Sequence, residues 1–296
     1  MKISVVGAGA WGSAFGKILQ RNSHEVRYVH RYDTAWPDGT AGDYVIMAIP
    51  CQSARERMKT LPAPQAPVFS LIKGIEVTTH LRVTEIIREV WKENRVGAIS
   101  GPSLASEVQI QAPTAVVLAC DDEELAKAMQ QIVHQKMFRT YRSTDVVGVE
   151  LGGALKNVYA LAGGICYGLG LGENGLAGLM TRSLVEMVRI AALHGARMET
   201  LYGLSGMGDL FLTAYSGASR NHQVGEALGR GRELQEILSH MGGTAEGVPT
   251  TRAVFELVES EKIKAPVVRE LYKVLYEGKT PAEGFQDLMV RRVDEE

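Results

Sequence analysis

Six residues near the start constrain this chain most: Gly7-Ala8-Gly9-Ala10-Trp11-Gly12. They follow a short β-branched run, Lys2 to Val6, and lead into a stretch with helical spacing, Trp11 to Arg21. In a strand–loop–helix unit, the spacing G-x-G-x-x-G gives each glycine one task. The first makes a tight turn, the second lets backbone approach a pyrophosphate, and the third lets the helix pack closely on the strand. The helix start then offers free N–H groups and a positive dipole end to phosphates. The spacing alone is weak, and the strand before it and helix after it are what give it meaning. Gly7, Gly9, Ala10, Trp11 and Gly12 are therefore candidate contacts of a dinucleotide.

The first half continues in the same alternation. Further strands are predicted at Glu25 to Val29, Tyr44 to Ile49, Val68 to Ile72, Val96 to Ile99, Thr114 to Ala119 and Phe138 to Arg142. Helices are predicted at Thr79 to Lys92 and at Asp121 to Gln135, the latter opened by a capping box of Asp121 and Glu124. Such repetition argues for a mostly parallel sheet covered by helices. From about Thr144 no strand pattern remains, and helical spacing recurs at 152–162, 180–194, 223–228, 250–259 and 267–276. The expected division is an α/β Rossmann-type, doubly wound domain over residues 1–142 and an all-helical domain over 143–296.

The second strand runs into Val29-His30-Arg31-Tyr32-Asp33. An NAD-specific site usually has an acid there to hold the ribose hydroxyls, and Asp33 comes a little late. Arg31 reads as a 2′-phosphate ligand, an adenine-stacking group or a solvated surface charge. The balance leans weakly towards NADP(H), with NAD(H) open. Only residues 30–43 join the second strand to the third, where a parallel crossover generally takes a dozen or more residues and usually a helix. Its proline and two glycines make a poor helix, so a loop crossing is expected, leaving the sheet face beneath it thinly covered.

Lys+Arg number 32 and Asp+Glu 34, which lacks the basic excess of a nucleic-acid protein. Cys51, Cys120 and Cys166 form neither CxxC nor a disulfide framework, and with no HExxH no metal site is expected. The N-terminus shows no signal-peptide pattern and no run is apolar enough to span a membrane, so a cytoplasmic protein without membrane insertion is expected. A homodimer is compatible with the sequence, which signals no specific interface.

An ordered set of strings then carries a resemblance. GAGAWGSAFG is followed by Lys73-Gly74-Ile75-Glu76, SGPSLASEV at 100–108, VGVELGGALKNVYALAGG at 147–164 and TRSLVEMVRI at 181–190. GLSGMGDLFLT at 203–213, SRNHQVG at 219–225 and AEGVPTT at 245–251 complete it. The chain resembles the bacterial NAD(P)-dependent glycerol-3-phosphate dehydrogenase family over nearly its whole length. The resemblance implies a helical domain like the C-terminal domain of 6-phosphogluconate dehydrogenase. It implies reversible conversion of dihydroxyacetone phosphate and NAD(P)H to sn-glycerol 3-phosphate for phospholipid synthesis. It implies Lys156 as the proton-transferring residue, with substrate contacts at Lys73, Gly101, Ser103, Lys156, Asp209, Ser219, Arg220 and Asn221. Cofactor contacts are implied at Trp11, Arg31, Lys73, Ala105, Arg220 and Glu246. Two departures bear on the cofactor: most of the family's segment between strands two and three is missing, and Pro50-Cys51 stands where the family usually has Pro-Ser.

The residue types suit this chemistry. Ketone reduction by hydride leaves charge on oxygen, which a positioned proton donor must meet. Lys156 projects off an apolar stripe of Leu155, Val158, Tyr159 and Ala162, and the small Gly152, Gly153 and Ala160 near it are expected to leave room for substrate and nicotinamide. Burial beside a second cation such as Lys73 would lower its pKa. Taken from position alone, a solvated helix lysine is the commoner case. Arg220 with Ser219 and Asn221 suits a phosphate, or a surface ion pair. Asp209 reads as a helix N-cap, a partner for a lysine, or both. Glu246 reads as an acceptor for the nicotinamide amide or ribose, or as a surface acid. Two other readings compete: a related β-hydroxyacid dehydrogenase acting on a carboxylate, and a nucleotide-responsive binding protein without catalysis.

Overall fold

The computed structural model describes residues 1–93 and 95–290. The last six positions of the second expected domain, 291–296, lie outside the described residues. Seven strands form one sheet: β1 (Lys2–Val6), β2 (Glu25–Val29), β3 (Tyr44–Met47), β4 (Val68–Ser70), β5 (Val96–Ser100), β6 (Thr114–Cys120) and β7 (Phe138–Ser143). Their order is β2-β1-β3-β4-β5-β6-β7, and all neighbours are parallel except β5 and β6. The order reverses between β1 and β3, the switch point at which doubly wound sheets bind ligands beyond the strands' carboxyl ends. The glycine loop leaves β1 there.

Five helices cover this sheet: α1 (Ala10–Arg21), α2 (Ala54–Lys59), α3 (Val83–Trp91), α4 (Ala105–Gln109) and α5 (Glu123–Val133). Alternation in β1 sends Ile3 and Val5 to the face packed by α1, α4 and α5. Val6, Val45 and Met47 pack with Met58 of α2 and Ile86 of α3. The helical domain follows: α6 (Val146–Gly168), α7 (Gly172–Leu193), α8 (Met198–Leu201), α9 (Asp209–Tyr215), α10 (Arg220–Gly229), α11 (Leu234–His240), α12 (Gly247–Ser260), α13 (Pro266–Tyr276) and α14 (Pro281–Val290). Among the described residues no strand follows Ser143 and no helix is long and apolar enough to cross a membrane.

Several expectations need correction. The α5 cap is Asp122, whose carboxylate accepts from Leu125 N at 3.0 Å, while Asp121 pairs with Arg88. The expected helix from Thr79 begins only at Val83, because His80 is left-handed at φ +59° and Arg82 is extended. Residues 30–43 do cross as a loop with a single short turn at Pro37–Gly39. The face beneath is not thinly covered. Trp36 turns in from the loop, is 7 % exposed, donates its indole N–H to Pro62 O at 3.0 Å and packs on Trp91. One large aromatic thus takes the place of a covering helix.

Helix α6 is not amphipathic with one apolar stripe; it is buried on nearly every side. Gly164 and Gly168 make this possible by facing Gly225 and Gly229 of α10. A Cβ on Gly164 or Gly168 would stand 3.0 Å from the Cα of its partner, and one on Gly225 would stand 2.1 Å from Leu161 O. The near contact of the two backbones brings the start of α10 beside the middle of α6.

Candidate active site

The three glycines of the loop have three different surroundings. Gly7 has φ +104°, a left-handed conformation that L side chains rarely adopt. A Cβ on Gly12 would stand 2.0 Å from Gly7 O, so only glycine lets α1 start so close to β1. Gly9 faces open space, with nothing within 4 Å of where a Cβ would lie. The first N–H groups of α1 point out of the helix without intrahelical acceptors. The Trp11 indole N–H nearby is buried and has no acceptor among the described residues.

Where the two domains meet, three charged side chains converge. Lys73, in the segment after β4, donates to Asp209 Oδ2 at 2.5 Å and to Gly101 O at 3.0 Å. Lys156 of α6 lies 3.0 Å from Asp209 Oδ1 and donates to Thr213 Oγ1 at 2.7 Å. Thr213 in turn donates to Asp209 Oδ1 at 3.1 Å. Lys156 is 7 % exposed and Asp209 1 %, so Lys156 is not a solvated helix lysine. Burial pushes its ammonium down to about 8 and Lys73 adds to this, against the pull of Asp209. Burial alone would raise the Asp209 carboxyl, but Lys156 and Lys73 together hold it below its ordinary value. Two ammonium groups share one carboxylate, leaving a net charge of about +1 in a dry pocket.

Asp209 is presented by an uncommon turn. Leu204–Gly208 is a π-helical segment running directly into α9, a geometry frequent at functional sites. Asp209 is not the N-cap of α9, which is Gly208. Its carboxylate is committed to the lysines instead.

An amide relay surrounds the cluster. Asn157 Nδ2 donates to Lys73 O at 3.1 Å, Asn221 Nδ2 donates to Asn157 Oδ1 at 2.8 Å, and Gly247 N donates to Asn221 Oδ1 at 2.9 Å. Both polar ends of Asn221 are thus engaged within the protein. Ser219 caps α10 by accepting from His222 N at 3.3 Å. Ser103 Oγ donates to Gly101 O at 2.9 Å, beside the Lys73 contact. The glycines near Lys156 do not open space for a ligand as expected. A Cβ on Gly153 would stand 2.4 Å from Ser100 Oγ, and one on Gly152 would stand 2.8 Å from Ser205 O. Their smallness admits neighbouring protein.

Glu246, just before α12, is not a surface acid. Its Oε2 is buried without a partner among the described residues, and burial pushes its carboxyl up to about 7, against a backbone hydrogen bond from Cys51 and the charge of Arg220. Cys51 is buried, and its side chain fills the space where Gly74 would carry a Cβ. Arg220 is exposed at the first turn of α10, its guanidinium over Gly243. Ala105 opens α4. Arg31 is exposed and stacks over Tyr32 at 5.7 Å, apart from the cluster. Sequence reading missed Thr213 and Asn157. Their only signals were positions: Thr213 lies one turn after Asp209, and Asn157 follows Lys156.

Comparison with known proteins gives the family. Residues 145–286 match the family described as NAD-dependent glycerol-3-phosphate dehydrogenase C-terminus. Residues 2–38 and 39–126 match the N-terminus of the same family, and the break falls inside the short 30–43 connection. A glycerol-3-phosphate dehydrogenase [NAD(P)+] of Syntrophotalea carbinolica is 40 % identical, covering 100 % of this chain and 99 % of its own. One from Shouchella clausii is 39 % identical over 98 % of this chain and 96 % of its own. The crystal structure of a Coxiella burnetii glycerol-3-phosphate dehydrogenase superposes with a TM-score of 0.91 at 31 % identity, covering 98 % of this chain and 99 % of that one. The chain belongs to the NAD-dependent glycerol-3-phosphate dehydrogenase family.

Proposed function

We propose that this chain is an NAD(P)-dependent oxidoreductase that interconverts dihydroxyacetone phosphate and sn-glycerol 3-phosphate, the latter for glycerophospholipid synthesis, the usual role of its family. The observation that carries the reading is the buried Lys73–Asp209–Lys156 cluster at the domain junction. In this reading residues 1–142 hold the cofactor, residues 143–296 complete the substrate site, and the enzyme works in the cytoplasm.

The glycine loop fits a dinucleotide: Gly9 leaves the approach open, and the α1 N–H groups await an anion. Gly7, Gly9, Ala10, Trp11 and Gly12 would hold the pyrophosphate side, and Arg31 the adenosine side. Arg220, Lys73, Ala105 and Glu246 would border the nicotinamide half, the unpartnered Glu246 Oε2 being free to accept from an amide. When bound, NAD(P)H supplies the hydride that reduces the ketone carbon.

The chain's own residues do the rest. As the carbonyl π pair moves to oxygen, the Lys156 ammonium gives that oxygen a proton and is left a neutral amine. In the reverse direction the amine takes it back. A pKa near 8 suits both directions near neutral pH. Asp209 and Thr213 orient Lys156. Lys73 adds positive charge beside the developing alkoxide. In this reading Ser103, Ser219, Arg220 and the Gly101 backbone would take the phosphate and hydroxyl ends, with Asn221 acting through Asn157. Absorbance at 340 nm, followed with dihydroxyacetone phosphate and NADH or NADPH separately, tests the reading. Substrate-dependent oxidation supports it. No turnover with either cofactor, from folded protein that binds one, overturns it.

A further inference from the structure

A buried carboxylate on α6 takes no part in the chemistry above. Glu150 lies six residues before Lys156 and is 7 % exposed. Its carboxylate reaches across the domain junction. Thr84 N donates to Oε1 at 2.9 Å, Thr84 Oγ1 to Oε2 at 2.6 Å, and Arg82 Nη1 to Oε2 at 2.7 Å. Thr84 N belongs to the first turn of α3, whose N–H groups have no acceptor within the helix. A residue of the helical domain therefore caps a helix of the cofactor domain.

That cap sits at one end of the segment that carries Lys73. Ile75 and Arg82 pair as an isolated antiparallel bridge, and Glu76 N donates to Leu81 O at 3.1 Å, so residues 75–82 form a closed loop. Gln52 grips it by accepting from Val77 N and donating to Ile75 O. Arg55 pairs with Glu76, and His80 pairs with Glu256 of α12. Lys73 stands two residues outside the bridge. An apolar contact would press the two domains together without fixing their register. Directional, charge-assisted hydrogen bonds to a buried carboxylate fix it.

We propose that Glu150 is a positioning residue for the reaction: by capping α3 from α6 it sets where the Lys73–Arg82 segment, and so the Lys73 ammonium, stands against Asp209 and Lys156. This rests on the dehydrogenase reading. The test is a double-mutant cycle on the full chain with Glu150→Gln, Lys73→Ala and both, read by steady-state kinetics with dihydroxyacetone phosphate. NADPH affinity by fluorescence and thermal melts run alongside.

Glu150→Gln keeps the shape and removes the charge. It is expected to lower kcat/KM about 30-fold, since misplacement by about 1 Å can cost about 100-fold. NADPH affinity should fall much less than kcat/KM, because the pyrophosphate side would rest on the glycine loop and only the Lys73 contact to the nicotinamide half would shift. In the Lys73→Ala background the same substitution should cost less than about threefold, because its effect runs through Lys73. Glu150→Asp, which keeps the charge on a shorter arm, should fall between, and it carries the cycle if the Gln variant does not fold. Equal losses in both backgrounds, unchanged kcat/KM in Glu150→Gln, or a parallel loss of NADPH affinity would overturn the positioning role. A wild type without turnover would overturn the dehydrogenase reading and this inference with it.

Discussion

The Gly7–Gly12 loop and helix α6 are both rich in glycine, yet only the loop turns one towards open space. Gly9 has nothing within 4 Å of where its Cβ would lie, while Gly164, Gly168, Gly152 and Gly153 of α6 would each clash with protein. In the loop, the absent side chain of Gly9 leaves backbone open, where the proposed dinucleotide would approach. In α6 absent side chains let neighbouring segments close in, which leaves the helix buried and lets it carry a charged lysine into a dry site. One domain uses glycine to leave backbone open, and the other uses it to bury.

The largest expected effect asks whether the buried helix carries the chemistry. Lys156→Ala should lower kcat about a thousandfold, within the usual range for a general acid. NADPH affinity should stay within about threefold, since the loop is untouched. Matched losses of turnover and cofactor affinity in stopped-flow binding would mean that the two glycine-rich regions are not separate in function.

The next pair puts one methyl group into each region. Gly225→Ala sets a Cβ 2.1 Å from Leu161 O. Overpacking of this kind costs about 3 kcal/mol, or a fall in Tm of about 5–10 °C at this chain length. Gly9 has φ −68°, which alanine adopts freely, so Gly9→Ala should leave Tm within about 2 °C. It should instead weaken NADPH about tenfold, roughly 1.4 kcal/mol. Calorimetry and cofactor titration on both variants check the contrast, and a swap of the two phenotypes would break it.

These two regions were not equally legible. The loop could be read because its glycines are fixed by local geometry at a known spacing after a β-branched strand. The sheet followed for the same reason, since strand side chains alternate and buried runs stand out. Helix α6 was recognised only from Gly152 to Ala162, because a helix buried on all sides shows no polar face to mark its period. The opposition of Gly164 and Gly168 to Gly225 and Gly229 depends on a tertiary approach that no local window contains. Lys156, Lys73 and Asp209 were named through resemblance. Their mutual contact depends on segments 136 residues apart in sequence. Thr213, Asn157 and Glu150 were missed because each meets its partner on another element. Asp122 was passed over for Asp121 because adjacent acids look alike until backbone geometry selects one.

A smaller effect tests how dry the α6 site is. Lys156 must be protonated to donate, so the rate of ketone reduction should fall as pH rises through about 8. Lys73 is one cause of that depressed value, so Lys73→Met should move the falling limb to higher pH. The stability consequence has the opposite slope. The folded-state value lies below the ordinary 10.5, so between the two the unfolded chain binds the proton more tightly. The penalty is fully present below about 8 and is relieved as pH climbs towards 10.5, so stability should gain there from this group. Urea titrations at pH 7.5 and 9.5, comparing wild type with Lys156→Met, isolate the contribution. A limb that Lys73→Met leaves in place would mean the two ammonium groups do not share one dry site.

The smallest effect supplies a third kind of glycine. Gly178 lies inside α7, is exposed, and has nothing within 4 Å of its missing Cβ. Like Gly9 it meets open space, but no turn, helix start or buried donor lies beside it, and its φ is not positive. Glycine in a helix interior costs about 0.5–1 kcal/mol relative to alanine, because it gives up more backbone freedom on folding. Gly178→Ala should therefore raise stability by about that amount, or Tm by about 2–3 °C, without altering kcat or NADPH affinity. Open space then means ligand access only where donors converge on it, as they do at Gly9. A Gly178→Ala variant that is less stable and also loses an association seen in wild type would mean that the exposed face of α7 meets a partner surface in solution. Gly178 would then join the packing glycines of α6, and sedimentation of the variant against wild type would show the lost association.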